Sequence, residues 1–408
     1  MLDKSISVSA PAGRVVSIDV LRGLTIALMI LVNDPGDWAH TYAQLDHAAW
    51  DGFTLTDFVF PNFLFLVGVS IILSLAGRVA RGDSRRAMAG HIVRRAFIIF
   101  AIDILIAAFP HFHLAHLRIY GVLTRIALCY LVAGLICLVT QRARTLLGIA
   151  GVLLVGYWAL MRFVPIPGFG VPTHDIPLLD PVYNLAAWLD RGFSAFTLRT
   201  IHTGVLYEHT RDPEGLLSTL PAIATTLIGC VTGLWLRLPK EVVKAHAKPH
   251  HHLSTLSGLL ITGFVSLAAG MLWDLSFPIN KKLWTSSYVL FAAGLSLLLL
   301  ALCYWLIDMR KYDKTRVGTV LAWPWLVFGS NAITAYVVSD VLVGLLGWIK
   351  VHNSFTGESV SVWGWLYQHG FARHGSTDVT SLVFAVCFVA VCFVPNWLLW
   401  RRRIFLKV

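Results

Sequence analysis

Thr54-Leu-Thr-Asp-Phe-Val-Phe-Pro-Asn-Phe-Leu-Phe-Leu-Val-Gly-Val-Ser-Ile-Ile-Leu-Ser-Leu-Ala76 carries a single charged residue, Asp57. A helix needs ~20 mainly apolar residues to cross the hydrocarbon core of a bilayer. Ten stretches of this kind follow one another: 15–34, 54–76, 92–109, 119–140, 146–163, 216–238, 254–274, 284–306, 320–349 and 380–400. The 408-residue chain is 57% hydrophobic and only 13% charged, with a mean hydropathy of +0.70. Soluble domains carry about 25% charged residues, and no soluble core could hide this much apolar surface. The expected fold is therefore all-α: a polytopic membrane helix bundle of ten spans, forming one integral domain over 1–408. The ninth stretch contains Pro324 and Gly329-Ser330-Asn331, so a kinked or broken helix is expected there. Counted twice, it would give eleven spans and move the C-terminus to the other face.

Charge placement orients the bundle. With the N-terminus inside, 22 lysines and arginines fall in inside segments. Eight fall outside: Arg118, Arg191, Arg199, Arg211, Lys281, Lys282, Lys350 and Arg373. Arg22, Arg125 and Arg162 lie in or at the ends of spans. The positive-inside rule is met by ten spans with both termini cytoplasmic. The net charge of +11 is thus a topology signal and does not point to nucleic acid. The first stretch is a poor signal peptide, because Asp19 and Arg22 interrupt it and Asn33-Asp34-Pro35-Gly36 is a poor cleavage site. The six cysteines sit in apolar stretches without C-x-x-C spacing, which argues against disulfides and zinc.

Three outside segments, 35–53, 164–215 and 350–379, combine polar residues with aromatics such as Trp38, Tyr42, Trp50, Tyr207 and Trp365. Such rings form an interfacial belt or stack on the C–H faces of sugars. The densest cluster of chemistry-bearing residues runs from Ser17 to Phe65. Asp19 and Arg22 stand three apart on one helix face, about a turn into the first span, where charges are rare and are paired or functional. They read as a structural ion pair or as the anchor of an anionic ligand. Asn33 ends the first span, His47 follows in the loop, and Asp57 opens the second span. An imidazole is the side chain best suited to take a proton near neutral pH, and a carboxylate on its other nitrogen would set its tautomer. Asp103, Arg125 and Asp340 are further intramembrane charges. Asp212-Pro213-Glu214 reads as an ordinary helix start, with Asp at the cap and Pro in the first turn. His250-His251-His252 and the His111, His113, His116 group are weak metal-binding patterns, and no metal is expected.

These pieces together resemble the heparan-alpha-glucosaminide N-acetyltransferase family and its bacterial relatives. The resemblance rests on Ser17-Ile-Asp-Val-Leu-Arg-Gly23, Leu45-Asp-His-Ala-Ala-Trp-Asp-Gly52, Thr56-Asp-Phe-Val-Phe-Pro61, Arg118-Ile-Tyr-Gly-Val-Leu-Thr-Arg125 and Asp212-Pro-Glu-Gly215. Pro278-Ile-Asn-Lys-Lys-Leu-Trp284 and Gly329-Ser-Asn-Ala332 follow. No single piece is decisive, but the ordered set covers most of the chain. Lysosomal members carry a further N-terminal lumenal region and span, so ten spans are expected here without them.

The resemblance implies acetyl transfer across a membrane, from cytoplasmic acetyl-CoA to the amine of a terminal glucosamine on the far side. The family's active-site His falls on His47 and its associated Asn on Asn33, with Asp57 as the third catalytic candidate. Arg22, Asp19 and Arg125 are the candidates for holding acetyl-CoA. Trp50, Asp212, Glu214, Asn280, Lys281 and Asn331 are those for the sugar. His47 has two roles open to it, acetylated nucleophile or general base with Asn33 polarising the thioester. The expected setting is a bacterial inner membrane, with a homodimer as the prior. Three rival readings use the same features: an amino-sugar transporter without chemistry, an O-acetyltransferase of envelope polysaccharide, and a membrane partner without catalysis.

Overall fold

The structure, a computed structural model, describes residues 15–243, 250–352 and 359–406. Lys4, Arg14, Lys244, Lys248 and Lys407 of the charge count lie outside the described residues, as do the side chains of Lys240, His250 and His251. The architecture is an all-α bundle. Its helices are α1 (Val16–Asn33), α2 (Leu55–Ala80), α3 (Arg85–Ala108), α4 (Val122–Val139), α5 (Ala143–Phe163), α6 (Leu185–Ile201), α7 (Thr219–Val243), α8 (His250–Asp274), α9 (Ser286–Cys303), α10 (Arg316–Ser330), α11 (Ala332–Trp348), α12 (Val362–Gly370) and α13 (Asp378–Arg401). The one sheet among the described residues is a hairpin, β1 (Lys350–His352) with β2 (Ser359–Ser361).

Eight of these helices are long and apolar enough to cross a membrane, and α10 with α11 adds a ninth as a bent pair. The tenth expected span is α3. It forms a helix of 24 residues, but Arg94, Arg95 and Asp103 put three charges into its apolar stretch, where the other spans carry two at most. Asp103 is buried and accepts the Thr124 backbone N–H at 2.9 Å, so that charge is turned into the bundle. The chain is a multi-pass membrane protein.

The ninth stretch is broken, as its sequence suggests, with an 80° bend between α10 and α11. The break falls at Asn331 and not at Pro324, which is carried inside α10. α10 lies against the first turns of α1 by a close backbone crossing. A Cβ on Gly23 would sit 1.7 Å from the Trp325 carbonyl oxygen, and one on Gly329 would sit 2.0 Å from that of Asp19. Only glycine fits at both points. The α2–α7 crossing is built in the same way, through Gly68 and Gly229.

Both described chain ends meet at one face. No side chain of its own caps α1. Instead Asp308, on the π-helical turn that continues α9, accepts the N–H groups of Val16 and Ser17, each at 3.2 Å. That satisfies donors every helix N-terminus leaves open. The segment after α13 returns to this face, where Asn331 Oδ1 accepts Leu406 N–H at 2.8 Å and its Nδ2 donates to the Ile404 carbonyl at 3.1 Å. The bent pair therefore crosses once. At the opposite face the connections 34–54, 109–121, 164–218 and 275–285, with 349–352 and 359–377, gather into a cap. The 164–215 segment, expected as a loop, contains α6, started by Asn184, whose side chain accepts Ala187 N–H at 2.9 Å. The 350–379 segment contains the hairpin and α12.

A candidate active site under the cap

The site grows from the first turn of α2. Thr54 caps that helix, its hydroxyl accepting Asp57 N–H at 3.4 Å while Asp57 Oδ2 accepts Thr54 N–H at 3.1 Å. This is a capping box with Asp in the third position. Asp57 also reaches into the preceding loop. Its Oδ2 accepts Ala48 N–H at 3.1 Å, and its Oδ1 lies 2.7 Å from His47 Nδ1. The Asp57 side chain is 1% exposed and that of His47 36%. A buried carboxylate, fixed by backbone donors, thus holds one nitrogen of a partly exposed imidazole. With Nδ1 as the donor to Asp57, Nε2 is the unprotonated nitrogen on the open side.

Pro61 adds a second consequence. It stands four residues after Asp57 and has no N–H, so the Asp57 carbonyl lacks its intrahelical donor. Tyr288 of α9 fills the vacancy, its buried hydroxyl donating to Asp57 O at 2.7 Å. Tyr288 packs edge-on against Trp284 at 5.3 Å, and Trp284 lies under the Arg125 guanidinium at 5.1 Å. Trp284 Nε1 donates to Thr225 at 3.2 Å. Arg125 is 1% exposed. Its Nη2 donates to the Gly215 carbonyl at 3.0 Å and to Ser218 Oγ at 2.5 Å, while its Nε and Nη1 have no hydrogen-bond partner among the described residues. A path of contacts therefore leads from His47 through Asp57, Tyr288 and Trp284 to a buried guanidinium.

Other candidates brace this centre. Asn280, fully buried, donates to Asp51 Oδ1 at 3.1 Å, and Gly52 N–H donates to the Ile279 carbonyl at 2.8 Å. Trp50 Nε1 donates to the Leu179 carbonyl at 2.9 Å, and the ring lies 4.3 Å from the Arg211 guanidinium. Both contacts pin the His47 loop to the cap. Asp212-Pro213-Glu214 does not start a helix, a correction to its sequence reading: α7 begins at Thr219. Arg118 takes the pair instead, donating to Asp212 at 2.8 and 2.5 Å and to Glu214 at 2.5 Å. Burial alone would raise the Glu214 carboxyl, but Lys281, Arg118 and Arg125 together hold it below the ordinary carboxylate range. Lys281 thereby belongs to the same electrostatic cluster. Asp190 of α6 accepts Leu216 N–H at 2.9 Å, and burial pushes its carboxyl up to about 6, with Asp212 adding to the rise.

Four candidates stand apart. Asn33 is exposed at the end of α1, and no hydrogen bond joins it to His47 among the described residues. Asp19 and Arg22 pair at 2.5 Å well inside α1, and Arg22 Nε donates to the Gly329 carbonyl at 2.9 Å. Asn331 follows that crossing and holds the chain end. It is not brought together with His47. The sequence reading did not single out Tyr288, Trp284 or Arg118 as site residues. The signal for Tyr288 was Pro61, which announces an unclaimed carbonyl one turn back at Asp57.

Comparison with known proteins agrees with these motifs. Residues 14–269, well over half the chain, match the family described as heparan-alpha-glucosaminide N-acetyltransferase, catalytic. The proteins named heparan-alpha-glucosaminide N-acetyltransferase from Mus musculus and Homo sapiens are each 29% identical, across 81% and 82% of this chain and 54% of each relative. The chain spans about half the length of these curated relatives. The matched region holds His47, Asp57, Arg118, Arg125, Asp212 and Glu214, and on it the chain belongs to the heparan-alpha-glucosaminide N-acetyltransferase catalytic family.

Proposed function

We propose that the protein is a transmembrane acetyltransferase, moving acetyl from cytoplasmic acetyl-CoA to the amine of a glucosamine-type sugar on the periplasmic face of a bacterial inner membrane. The observation that carries this reading is the 2.7 Å His47–Asp57 pair under the cap. The amine nitrogen attacks the thioester carbon, the C–S bond breaks, the amine proton passes to His47 Nε2, and CoA leaves as a thiolate that is then protonated. Asp57 fixes the ring tautomer and stabilises the imidazolium. Asn33 donates to the thioester oxygen as negative charge builds there.

Helix length supports a donor anchored deep in the bundle. From Arg22 to Asn33 the axis of α1 rises ~16 Å. The pantetheine arm has about the bond count of four peptide residues, so it extends roughly 14 Å. A CoA phosphate held at Arg22 leaves the thioester close to the His47 end. Arg78, at the far end of α2, lies ~32 Å along the axis from Asp57 and is too far to serve as the same anchor. Arg125 belongs on the path of the pantetheine arm, as a buried guanidinium whose Nε and Nη1 have no hydrogen-bond partner among the described residues and would meet a carbonyl oxygen of the arm or of the thioester. The charged nucleotide never crosses, and the sugar enters from the other face.

Purified protein given acetyl-CoA and glucosamine should release CoA and form N-acetylglucosamine. His47→Ala should abolish turnover while leaving acetyl-CoA affinity within a few-fold. Sugar uptake into vesicles without CoA release would favour a transporter, and acetyl on oxygen would favour a modifier of envelope polysaccharide. Activity of His47→Ala within a few-fold of wild type would remove His47 from the mechanism. Stoichiometric acetyl-His47 formed at a competent rate without sugar would replace direct transfer by a two-step route.

A further inference from the structure

Two adjacent arginines of α3 have different surroundings. Arg95 turns toward the bundle, where its guanidinium lies 4.7 Å from the centre of the Tyr130 ring on α4. Arg94 is exposed, and so is Arg86, eight residues earlier. The carboxylate nearest to them in the chain is Asp83, which pairs with Arg78 at 3.0 Å and stands 4.0 Å from Arg81. Among the described residues no ion pair or hydrogen bond holds Arg86 or Arg94.

Arg94 lies deep for an exposed charge. From Arg94 to the end of α3 at Ala108 the axis rises ~21 Å. Against a hydrocarbon core of ~30 Å, this places its Cα ~9 Å inside the edge nearer the start of α1. Its neighbours agree with that setting: Val93 is 51% exposed and Phe97 68%. A guanidinium among acyl chains is costly, and it reaches for the headgroups along its own methylene stem. Helical side chains lean toward the helix N-terminus, and α3 begins on that headgroup side. The lean carries Arg94 over Gly90, one turn back. The helix is bare there, since a Cβ on Gly90 would meet nothing within 4 Å. Arg86 stands a further turn back on the same face. The stripe therefore has a seat between two cations and an apolar foot at Val93 and Phe97.

We propose that this stripe binds an anionic phospholipid, with the phosphodiester seated on Gly90 between Arg86 and Arg94 and an acyl chain along Val93 and Phe97. A soluble anion would satisfy the cations and leave the foot uncovered. A zwitterionic headgroup would bring its own ammonium against two guanidinium groups, whereas an anionic one brings only the charge they lack. The site stands apart from the His47 centre and does not depend on the acetyl-transfer reading.

The test titrates the full-length chain in detergent with phosphatidylglycerol or phosphatidylcholine and follows the first bound lipid by native mass spectrometry. Phosphatidylglycerol should bind about tenfold more tightly. Arg86→Gln and Arg94→Gln should each weaken it about fivefold, the share of one basic residue at an anionic surface. Gly90→Leu keeps every charge and favours the helix, yet it should weaken binding at least as much by filling the seat. Arg144→Gln, an exposed arginine at the start of α5 on the same side, should change it less than twofold. Without added lipid all four variants should keep the wild-type midpoint of thermal aggregation, which shows that they fold. Equal affinity for the two lipids would overturn the site. So would an unaffected Gly90→Leu, or an Arg144→Gln as damaging as Arg94→Gln, since the attraction would then be diffuse. Glycerol phosphate bound as tightly as the intact lipid would also overturn it, because the foot would then contribute nothing.

Discussion

Asp57 serves two structures at once, the cap of α2 and the orientation of His47. Replacing it with Asn keeps the shape but gives Oδ1 and Nδ2 where two acceptors stood. One of the donors at His47 Nδ1, Ala48 N–H and Thr54 then faces another donor. Activity should fall by about 10²–10⁴, the scale of general base catalysis, with acetyl-CoA affinity kept. Steady-state kinetics beside a donor-binding isotherm separate the two effects, and a drop of less than a few-fold would detach Asp57 from His47's role. Asp190 gives a pH signature. Its carboxyl is raised from 3.8 to about 6, first by burial, so the folded protein keeps a proton that the unfolded chain has released. This contribution to stability is full below about pH 4 and is lost as pH rises through about 6. Wild type should therefore lose thermal stability relative to Asp190→Asn between about pH 4 and pH 7. Parallel melting curves across that range would contradict the assignment.

At the scale of elements, the α1–α10 crossing depends on two missing side chains. Gly23→Ala or Gly329→Ala places a methyl inside van der Waals contact with backbone atoms of the facing helix. Backbone yields less than a flexible side chain, so each change should cost at least the ~1–3 kcal/mol typical of overpacking. The check is the midpoint of thermal aggregation in detergent, and an unchanged midpoint would mean the crossing is looser than described. The same crossing shows what sequence could and could not announce. Pro324 and Gly329-Ser330-Asn331 marked the ninth stretch as interrupted, yet the chain breaks at Asn331 and passes through Pro324. A proline costs one helical bond, and that loss is tolerated when neighbouring helices support the segment. The fold-back has no such local mark: it depends on Gly23 and Arg22, three hundred residues away in the chain. The Asp212-Pro213-Glu214 segment misled for the same reason. Its local pattern is that of a helix start, and the half-buried Arg118 guanidinium outcompetes it with charged hydrogen bonds.

For the whole molecule, composition and the run of apolar stretches made the bundle legible, because the bilayer imposes one period and one length on every span. His47 and Asp57 were legible as candidates through their motifs. Their pairing was legible only as a chemical expectation, and the 2.7 Å contact bears it out; what the sequence did not carry is how the loop folds back over the first turn of α2. Tyr288, Trp284 and Arg118 were hidden further, joined to the site only in three dimensions. The arrangement places the His47 loop at the face opposite the Asp308-capped start of α1 and the end of α13, which is the geometry a reaction across a membrane requires. The most direct test is to reconstitute the protein in sealed liposomes, with labelled acetyl-CoA on one side and glucosamine on the other. The account predicts labelled N-acetylglucosamine on the sugar side only and free CoA on the donor side, with both lost in His47→Ala. Product formed only when donor and acceptor share a compartment, or formed undiminished by His47→Ala, would contradict it.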